Sequence, residues 1–509
     1  MVRRLPVWAI STAVAVGLTA LAAWSCWQRW QLVSASPFPL GVDGYFYPIQ
    51  LRAVLEHGAL AYPASPLAFY LLAPFAALTD PITGAKLGAA LLGAAIAFPA
   101  YGVGARLGGG RGAGLVAAAL ATTSVGSMYL TVEFVKNGVG LTVALAALWL
   151  ALRATEQPSR ARIAAALAGL VAAYATHKMA AAIVGLVAIP AALAALADRG
   201  LLRGRRLIYA AGAALAGVVA LLAVSVAAPA RLLSLADAGL LRGLFSATPR
   251  WTAPALARPT GDLALGHDAL LGLGLALVAI ALRVRAARRP PGERSPAQPG
   301  AVTAASWPLL VLAIAIGLPF LAVSDGQGLG FRLRIAAFVP AALAAAICAR
   351  AALARFAHRD ALLAALAVVL AVARQPDDSL EGVVITHPAL ITATQALTGH
   401  VPPGVTLIVP ERHIAFMVAW YTRTPVALQP DGIAPVQRYR LLPLHFIRAG
   451  SALDRQLLAA RAAPGVIPPL GVHPRHANGL VLVAESTWTW LLAQLPPADR
   501  AYFAAWPTI

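Results

Sequence analysis

The chain carries little charge for its length. Only 12% of its 509 residues are charged, whereas 60% are hydrophobic and the mean hydropathy is +0.74. A soluble domain carries about twice that charged fraction. Apolar stretches recur between residues 6 and 374, and many approach the ~20 residues that a helix needs to cross the hydrocarbon core. The composition therefore excludes an ordinary soluble protein and indicates a polytopic membrane protein.

Acidic residues, lysine and cysteine are also scarce. The 40 basic residues face 20 acidic ones, and only Lys86, Lys136 and Lys178 among the basic residues are lysine. The arginines mostly separate apolar segments instead of forming one patch, which is typical of topology signals and argues against a nucleic-acid partner. The two cysteines, Cys26 and Cys348, lie within apolar segments. We therefore expect neither a disulfide framework nor a cysteine-based metal site.

The apolar pattern predicts about eleven transmembrane helices in residues 1–375, followed by a soluble α/β domain in residues 376–509. The predicted spans are roughly 6–27, 83–105, 113–131, 138–153, 162–177, 178–197, 207–229, 267–284, 304–323, 335–352 and 360–374. The apolar segment 66–79 is too short for a span and contains two prolines. We interpret it as an interfacial or re-entrant helix within a first outer loop that covers residues 28–82.

The distribution of arginine predicts the orientation. With a cytoplasmic N-terminus, the predicted cytoplasmic loops hold more basic residues than the outer segments, Arg203, Arg205 and Arg206 among them. This pattern predicts a multi-pass protein of the bacterial inner membrane, in contact with membrane lipids, with the C-terminal domain on the periplasmic side. In that domain, Thr406–Pro410 and Gly479–Ala484 are typical of strands.

Under this topology, polar residues with catalytic or binding chemistry collect at the outer water–lipid boundary. Three lie in the first outer loop, and the others lie at later junctions between spans. The candidates are Asp43, Tyr45, Tyr70, Glu133, Lys136, His177, Lys178, Arg332 and Arg334.

Several short motifs in this part of the chain occur in a characteristic order. They are VDGYFYPIQLRAVLEHG around Asp43, Pro66-Leu-Ala-Phe-Tyr70, Tyr101-Gly-Val-Gly-Ala-Arg-Leu-Gly108, Glu133-Phe-Val-Lys-Asn137 and Phe331-Arg-Leu-Arg-Ile-Ala-Ala-Phe-Val-Pro340. Because these motifs occur in this order and on the same predicted side of the membrane, the chain resembles the GT-C class of polytopic glycosyltransferases. That class includes protein O-mannosyltransferases, oligosaccharyltransferases and lipid A aminoarabinose transferases. The match runs over most of residues 1–375 and places the chain in no subfamily.

The resemblance implies an inverting transferase whose sugar donor is a polyprenyl phosphate or diphosphate, and whose acceptor is a glycan, a lipid or a protein. It implies that Asp43 is the base and that Glu133 is a second acid. The class includes metal-dependent and metal-independent members, so a divalent cation, Mg²⁺ or Mn²⁺, remains open, and its candidate ligands are Asp43 and Glu133. The remaining candidates would bind substrate: Lys136, His177, Lys178, Arg332, Arg334, Tyr45 and Tyr70. Cationic side chains suit that role because they stabilise the departing phosphate.

Each of these residues also has a plainer interpretation. Asp43 could be an ordinary turn residue, and Glu133 with Lys136 a surface pair three residues apart. The two arginines could anchor a helix end by snorkelling, and His177 could be a structural histidine.

Two other function classes remain open. A secondary transporter would place its substrate near the midplane, between helices related by repeats, and keep ionisable residues at that depth. A non-catalytic scaffold could retain a transferase fold, because fold does not fix function. Convergence of the candidate residues on one outward-facing cavity would favour the enzyme over the scaffold.

Overall fold

A computed structural model gives the structure of the chain. It describes residues 6–41, 43–201, 205, 208–209, 212, 244–245, 262–288, 300–321, 329–353, 356, 358–373, 391–392, 394–395, 406–408, 412–426 and 479–481. Internal contacts divide the chain into two units. Unit one consists of Met1–Pro37 and Ala53–Val384, and unit two consists of Phe38–Arg52 and Ile385–Ile509.

Helices dominate the described residues. In chain order they are α1 Val7–Ser34, α2 Phe46–His57, α3 Leu67–Leu78, α4 Pro81–Ala94, α5 Ala97–Gly108, α6 Arg111–Thr123, α7 Val125–Val132, α8 Val135–Glu156, α9 Arg160–Thr176, α10 Lys178–Asp198, α11 Asp262–Ala287, α12 Gly300–Gly317, α13 Leu329–Ile335, α14 Phe338–Leu353, α15 Arg359–Ala373 and α16 Arg412–Thr422. Two short strands, β1 Thr406–Ile408 and β2 Gly479–Val481, accompany α16.

The core of unit one is built mainly from alanine, leucine, valine and isoleucine. Large side chains such as Leu107, Leu148 and Leu152 are fully buried within it. Small residues let the helices approach closely, as membrane helices do when packing replaces the hydrophobic effect as the driving force. A Cβ atom on Gly102, for example, would lie 2.6 Å from the ring of Trp149.

Length and composition identify the candidate membrane helices. Among the described residues, six helices are long and apolar enough to cross a membrane, and eight if each of two bent pairs counts as one span. The pairs are α6 with α7, bent by 43°, and α13 with α14, bent by 45°. The prediction of a multi-pass membrane protein is thus confirmed. The number eleven stays a prediction, and its span 207–229 lies almost entirely outside the described residues.

Two predicted boundaries can be compared directly with the structure. The first span, predicted to end at residue 27, continues as α1 to Ser34. The apolar segment 66–79 forms α3, which has 12 residues and contains Pro74. A helix of 12 residues is about 18 Å long and is too short to cross the hydrocarbon core.

The described part of unit two contains the first part of α2, a small sheet and α16. Strands β1 and β2 are parallel, with Thr406 opposite Gly479 and Ile408 opposite Val481. Both strands lie where the sequence predicts strands. Most of residues 376–509 lie outside the described residues, so the α/β class of this domain stays a prediction.

Candidate functional site

Several candidate residues of unit one lie at a break between α7 and α8. Helix α7 ends at Val132 because Glu133 is extended, with φ −108° and ψ 143°. Phe134 then adopts the left-handed region, with φ 56° and ψ 40°, before α8 begins. That conformation is a genuine outlier for a bulky residue and costs of the order of 1–3 kcal/mol. Surrounding contacts therefore hold this segment in a specific conformation.

Three aromatic rings pack together at the break. The ring centroids of Tyr129 and Phe134 are 6.5 Å apart, and each lies 6.4 Å from the ring of Phe331. The guanidinium carbon of Arg332 lies 5.8 Å from the centroid of Phe134, within the range of a cation–π contact. The aromatic contacts thus join the start of α8 to α13 and fix the position of the Arg332 charge.

A second break separates α9 from α10. His177 is extended, with φ −162° and ψ 121°, and its side chain does not cap α10. The ring packs against α8, where a Cβ atom on Gly140 would lie 2.6 Å from the Cβ of His177. His177 is 7% exposed, and its Nδ1 atom has no hydrogen-bond partner among the described residues.

Three cations act on this histidine. We call Lys136, Lys178 and Arg332 the cationic cluster. Burial lowers the pKa of His177 well below its usual value of 6.5, and the charges of Lys136, Arg332 and Lys178 lower it further. Lys178 follows His177 directly, and Arg332 contacts Phe134 just before α8 begins, so these predicted residues lie in the same region of unit one. The arrangement concentrates positive charge and is suited to an anion such as phosphate.

Glu133 and Arg334 are more deeply buried. Glu133 is 3% exposed and follows the last residue of α7. Arg334 is 4% exposed, and its Nη2 donates to the carbonyl oxygen of Leu318 at 3.5 Å. The sequence did not separate the roles of the two arginines. In the structure Arg332 belongs with the cationic cluster, whereas Arg334 contacts the backbone after α12.

Asp43 lies in unit two, in the turn that leads into α2. It is half-buried, and its carbonyl oxygen accepts a hydrogen bond from the backbone of Phe46 at 2.9 Å. The residue after it must be glycine, because a Cβ atom on Gly44 would collide with the carbonyl oxygen of Leu40. This tight turn defines the backbone position of the candidate base.

Aromatic contacts hold this turn against α16 within unit two. Tyr45 is buried, and its hydroxyl oxygen lies 3.0 Å from that of Tyr421. Burial raises the pKa of Tyr45, and the hydrogen bond with Tyr421 adds to the rise. The guanidinium of Arg52 lies 4.4 Å from the ring centroid of Trp420 and donates to the Trp420 carbonyl oxygen at 3.3 Å.

Sequence reasoning missed this pairing of the first outer loop with α16. The aromatic run from Tyr45 to Tyr47 was the available clue, but its partners lie more than 360 residues away. The predicted substrate residue Tyr70 is 44% exposed in unit one, where its hydroxyl donates to the carbonyl oxygen of Gly58 at 2.8 Å.

The structure gives no support to a metal site built from side chains alone. Among the described residues, no group of three or more histidine, cysteine, aspartate or glutamate side chains is arranged to hold a metal ion. The two predicted ligands, Asp43 and Glu133, belong to different units. Mg²⁺ commonly binds through one or two carboxylates together with substrate phosphates, so the divalent cation stays a prediction.

Comparison with solved structures identifies the fold. No protein-family model matches the chain, and no curated protein matches it. The crystal structure of ArnT from Cupriavidus metallidurans bound to undecaprenyl phosphate matches with a TM-score of 0.51 and 14% identity, over 95% of each chain. The chain has a GT-C-like glycosyltransferase fold. The apo structure of the same ArnT gives a TM-score of 0.48 and 14% identity, over 96% of this chain and 95% of that one.

The GT-C-like fold confirms the resemblance that the sequence motifs indicate. At 14% identity the likeness concerns the fold and leaves the subfamily open. Function must therefore be argued from the residues themselves.

Proposed function

We propose that this chain is an inverting glycosyltransferase of the inner membrane. It moves a sugar from a polyprenyl phosphate or diphosphate donor to an acceptor at the outer face of the membrane. The observation that carries the proposal is the grouping of Lys136, Lys178 and Arg332 around His177 in a GT-C-like fold. The undecaprenyl phosphate bound by ArnT supports a donor of this chemical class.

The cationic cluster would bind the phosphate of the donor. Transfer leaves the polyprenyl carrier with an additional negative charge on its phosphate, and fixed positive groups stabilise that charge as it develops. Arg332 is suited to the role because its planar guanidinium matches two phosphate oxygens. Its contact with Phe134 holds the group in place before the donor arrives.

Asp43 would serve as the base. It removes the proton from the attacking atom of the acceptor, which displaces the phosphate in one step and inverts the anomeric carbon. The Leu40 carbonyl oxygen lies so close to Gly44 that no Cβ fits there, and this close packing gives the turn after Asp43 a defined conformation. Glu133 is a second acid in this proposal. No step of this proposal is routed through a metal ion.

The outer domain would select the acceptor.

The transporter class is less well supported than the transferase class. Arg29 is a buried ionisable residue within α1, as transporters often have. However, oxygen atoms of neighbouring residues in unit one accept hydrogen bonds from its guanidinium. A guanidinium occupied in this way has a structural role.

Sugar transfer in vitro tests the proposal. The purified protein in lipid nanodiscs receives a panel of radiolabelled polyprenyl-phosphate sugars and a membrane extract as acceptor. Asp43→Asn is expected to reduce transfer at least ~100-fold, the usual scale for loss of a general base. Glu56→Gln is the matched control, because Glu56 is an exposed carboxylate on the same helix that follows the turn.

Transfer that is equal in wild type and Asp43→Asn would retain the enzyme and remove Asp43 as its base. Absence of transfer from every donor in the panel would contradict the proposed activity and favour the scaffold.

A further inference from the structure

His177 is a buried polar group without a partner in the described structure. It is 7% exposed, and the Nδ1 atom makes no hydrogen bond to a described residue. An unpaired buried polar atom costs about 1–3 kcal/mol, so native proteins rarely retain one without a reason. Such an atom points to a partner beyond the described residues.

The charges around the ring indicate the chemistry of that partner. Lys136 lies in the first turn of α8, Lys178 in the first turn of α10 and Arg332 on α13, and the charge of each lowers the pKa of the ring. Every charge of the described chain that acts on the ring is positive. A missing partner at this position would therefore be an anion.

The start of α10 adds to this positive potential. The helix has 21 residues, and the side chain at its N-cap, His177, accepts no hydrogen bond from its first turn. The first backbone N–H groups of a helix lack intrahelical acceptors and carry a partial positive charge, which favours bound phosphate. Together, the helix N-terminus, the cationic cluster and the unpaired ring nitrogen form one anion site.

We propose that His177 is part of the donor-phosphate site and takes up a proton when the phosphate binds. This inference rests on the proposed function. It adds that His177 takes up a proton when the donor phosphate binds. In the free protein the ring is neutral, since burial and three neighbouring cations disfavour a further charge. A phosphate anion offsets those cations, so that the imidazolium becomes favourable and its Nδ1–H donates to a phosphate oxygen.

Thermodynamic linkage makes this proposal measurable. Because the free protein has a depressed His177 pKa, phosphate binding that raises it must draw a proton from solution. The same linkage requires that the affinity for phosphate increases as the pH falls. One proton changes the affinity by no more than about tenfold per pH unit.

The probe must not titrate in the same pH range. A phosphate monoester has a second pKa near ~6, which would confuse the measurement. The methyl ester of farnesyl phosphate is a phosphodiester, which lacks that second ionisation and keeps an isoprenoid tail. Any proton taken up on its binding then belongs to the protein.

Calorimetry measures the proton directly. The probe is titrated into wild-type protein in nanodiscs at pH 7, in two buffers that differ in ionisation enthalpy, and the affinity is followed from pH 8 to pH 6. We expect uptake of a fraction of one proton and a rise in affinity toward pH 6. His177→Asn keeps a polar side chain that cannot be protonated, so it should bind with no uptake and little pH dependence.

His57→Gln is the matched control, because the His57 side chain is 73% exposed on α2. It should behave as the wild type does. Binding to the wild type without proton uptake would overturn the protonation of His177 and leave the phosphate site intact, because a neutral imidazole can also donate a hydrogen bond. Unchanged uptake in His177→Asn would likewise overturn it. Failure of the probe to bind would contradict both this inference and the proposed donor class.

Discussion

The guanidinium of Arg29 donates to the carbonyl oxygen of Thr122 at 3.0 Å, which joins α1 to the end of α6. Arg29 is fully buried, and its other donors reach Ser25 Oγ at 3.1 Å, Ser127 O and Ser127 Oγ at 2.6 Å, and Thr131 Oγ1. All five N–H groups of an arginine can thus be satisfied here. The contacts bridge the break between α6 and α7, where the last carbonyl groups of α6 lack intrahelical partners and favour a cation.

We therefore expect Arg29→Leu to destabilise the protein strongly. The substitution leaves several buried acceptors without a donor, each at a cost of about 1–3 kcal/mol. Thermal unfolding in detergent measures the effect as a melting temperature lowered by several degrees. Arg160→Leu is the control, because Arg160 is an exposed arginine at the start of α9. Equal melting temperatures for the two variants would show that the Arg29 contacts add little stability.

The surroundings of Arg29 also show why the end of the first helix could not be predicted from the sequence. The predicted first span ends at residue 27 because the next residues, Gln28 and Arg29, are polar. The helix nevertheless continues to Ser34, because acceptors on α6 and α7 satisfy the arginine. Those acceptors lie about 100 positions further along the chain, and periodicity carries no information about them.

The long apolar helices could be predicted from the sequence, because their apolar segments are long enough to cross the hydrocarbon core of a bilayer. The bends within the two bent helix pairs could not be predicted in this way. The predicted span 113–131 contains the break at Ser124, and the predicted span 335–352 begins beside the break between α13 and α14. Both breaks depend on contacts between helices. The sequence predicts only that His177 and the cations lie at the same boundary, and that side of the membrane stays a prediction, whereas the different surroundings of Arg332 and Arg334 required the structure.

The two arginines of α13 should respond differently to substitution. Arg332→Gln removes a charge of the cationic cluster, and we expect it to raise the KM for the donor at least ~10-fold, equivalent to about 1.4 kcal/mol. Arg334→Gln removes the contact with Leu318 and should lower the melting temperature with a smaller change in KM. Steady-state kinetics and thermal unfolding of both variants check this. The reverse pattern would assign the phosphate role to Arg334.

Gly140 should be sensitive to the addition of one methyl group. Its Cβ would lie 2.6 Å from the Cβ of His177, so Gly140→Ala must shift α8 or the junction before α10. We expect a loss of about 1–3 kcal/mol in stability and weaker donor binding. Gly274→Ala in α11 is the control, since no heavy atom of the described chain outside its own helix and chain neighbours lies within 4 Å of that Cβ. It should be neutral or stabilising by up to ~1 kcal/mol. Similar losses in both variants would indicate a general intolerance of alanine.

The stability of the free protein should depend on pH through His177. Its pKa in the folded state lies well below the ordinary value of 6.5, because the ring is buried and faces Lys136, Arg332 and Lys178. Above pH 6.5 the ring is neutral in both the folded and the unfolded state, so it contributes no pH dependence. Below that pH the unfolded state binds a proton that the folded state does not. Stability is therefore lost as the pH falls from 6.5 toward the folded-state pKa, by at most about 1.4 kcal/mol per pH unit.

The measurement is the melting temperature of the wild type and of His177→Asn between pH 8 and pH 5, without donor. Other titrating groups act on both proteins, so the informative quantity is the difference between the two melting temperatures. We expect that difference to be constant above pH 6.5 and to move in favour of His177→Asn below it, because asparagine binds no proton in either state. His57→Gln should show the pH profile of the wild type, since the His57 side chain is 73% exposed. A difference that stays constant down to pH 5 would mean that the buried ring is protonated as readily in the folded protein as in the unfolded chain, and that the three cations do not act on it.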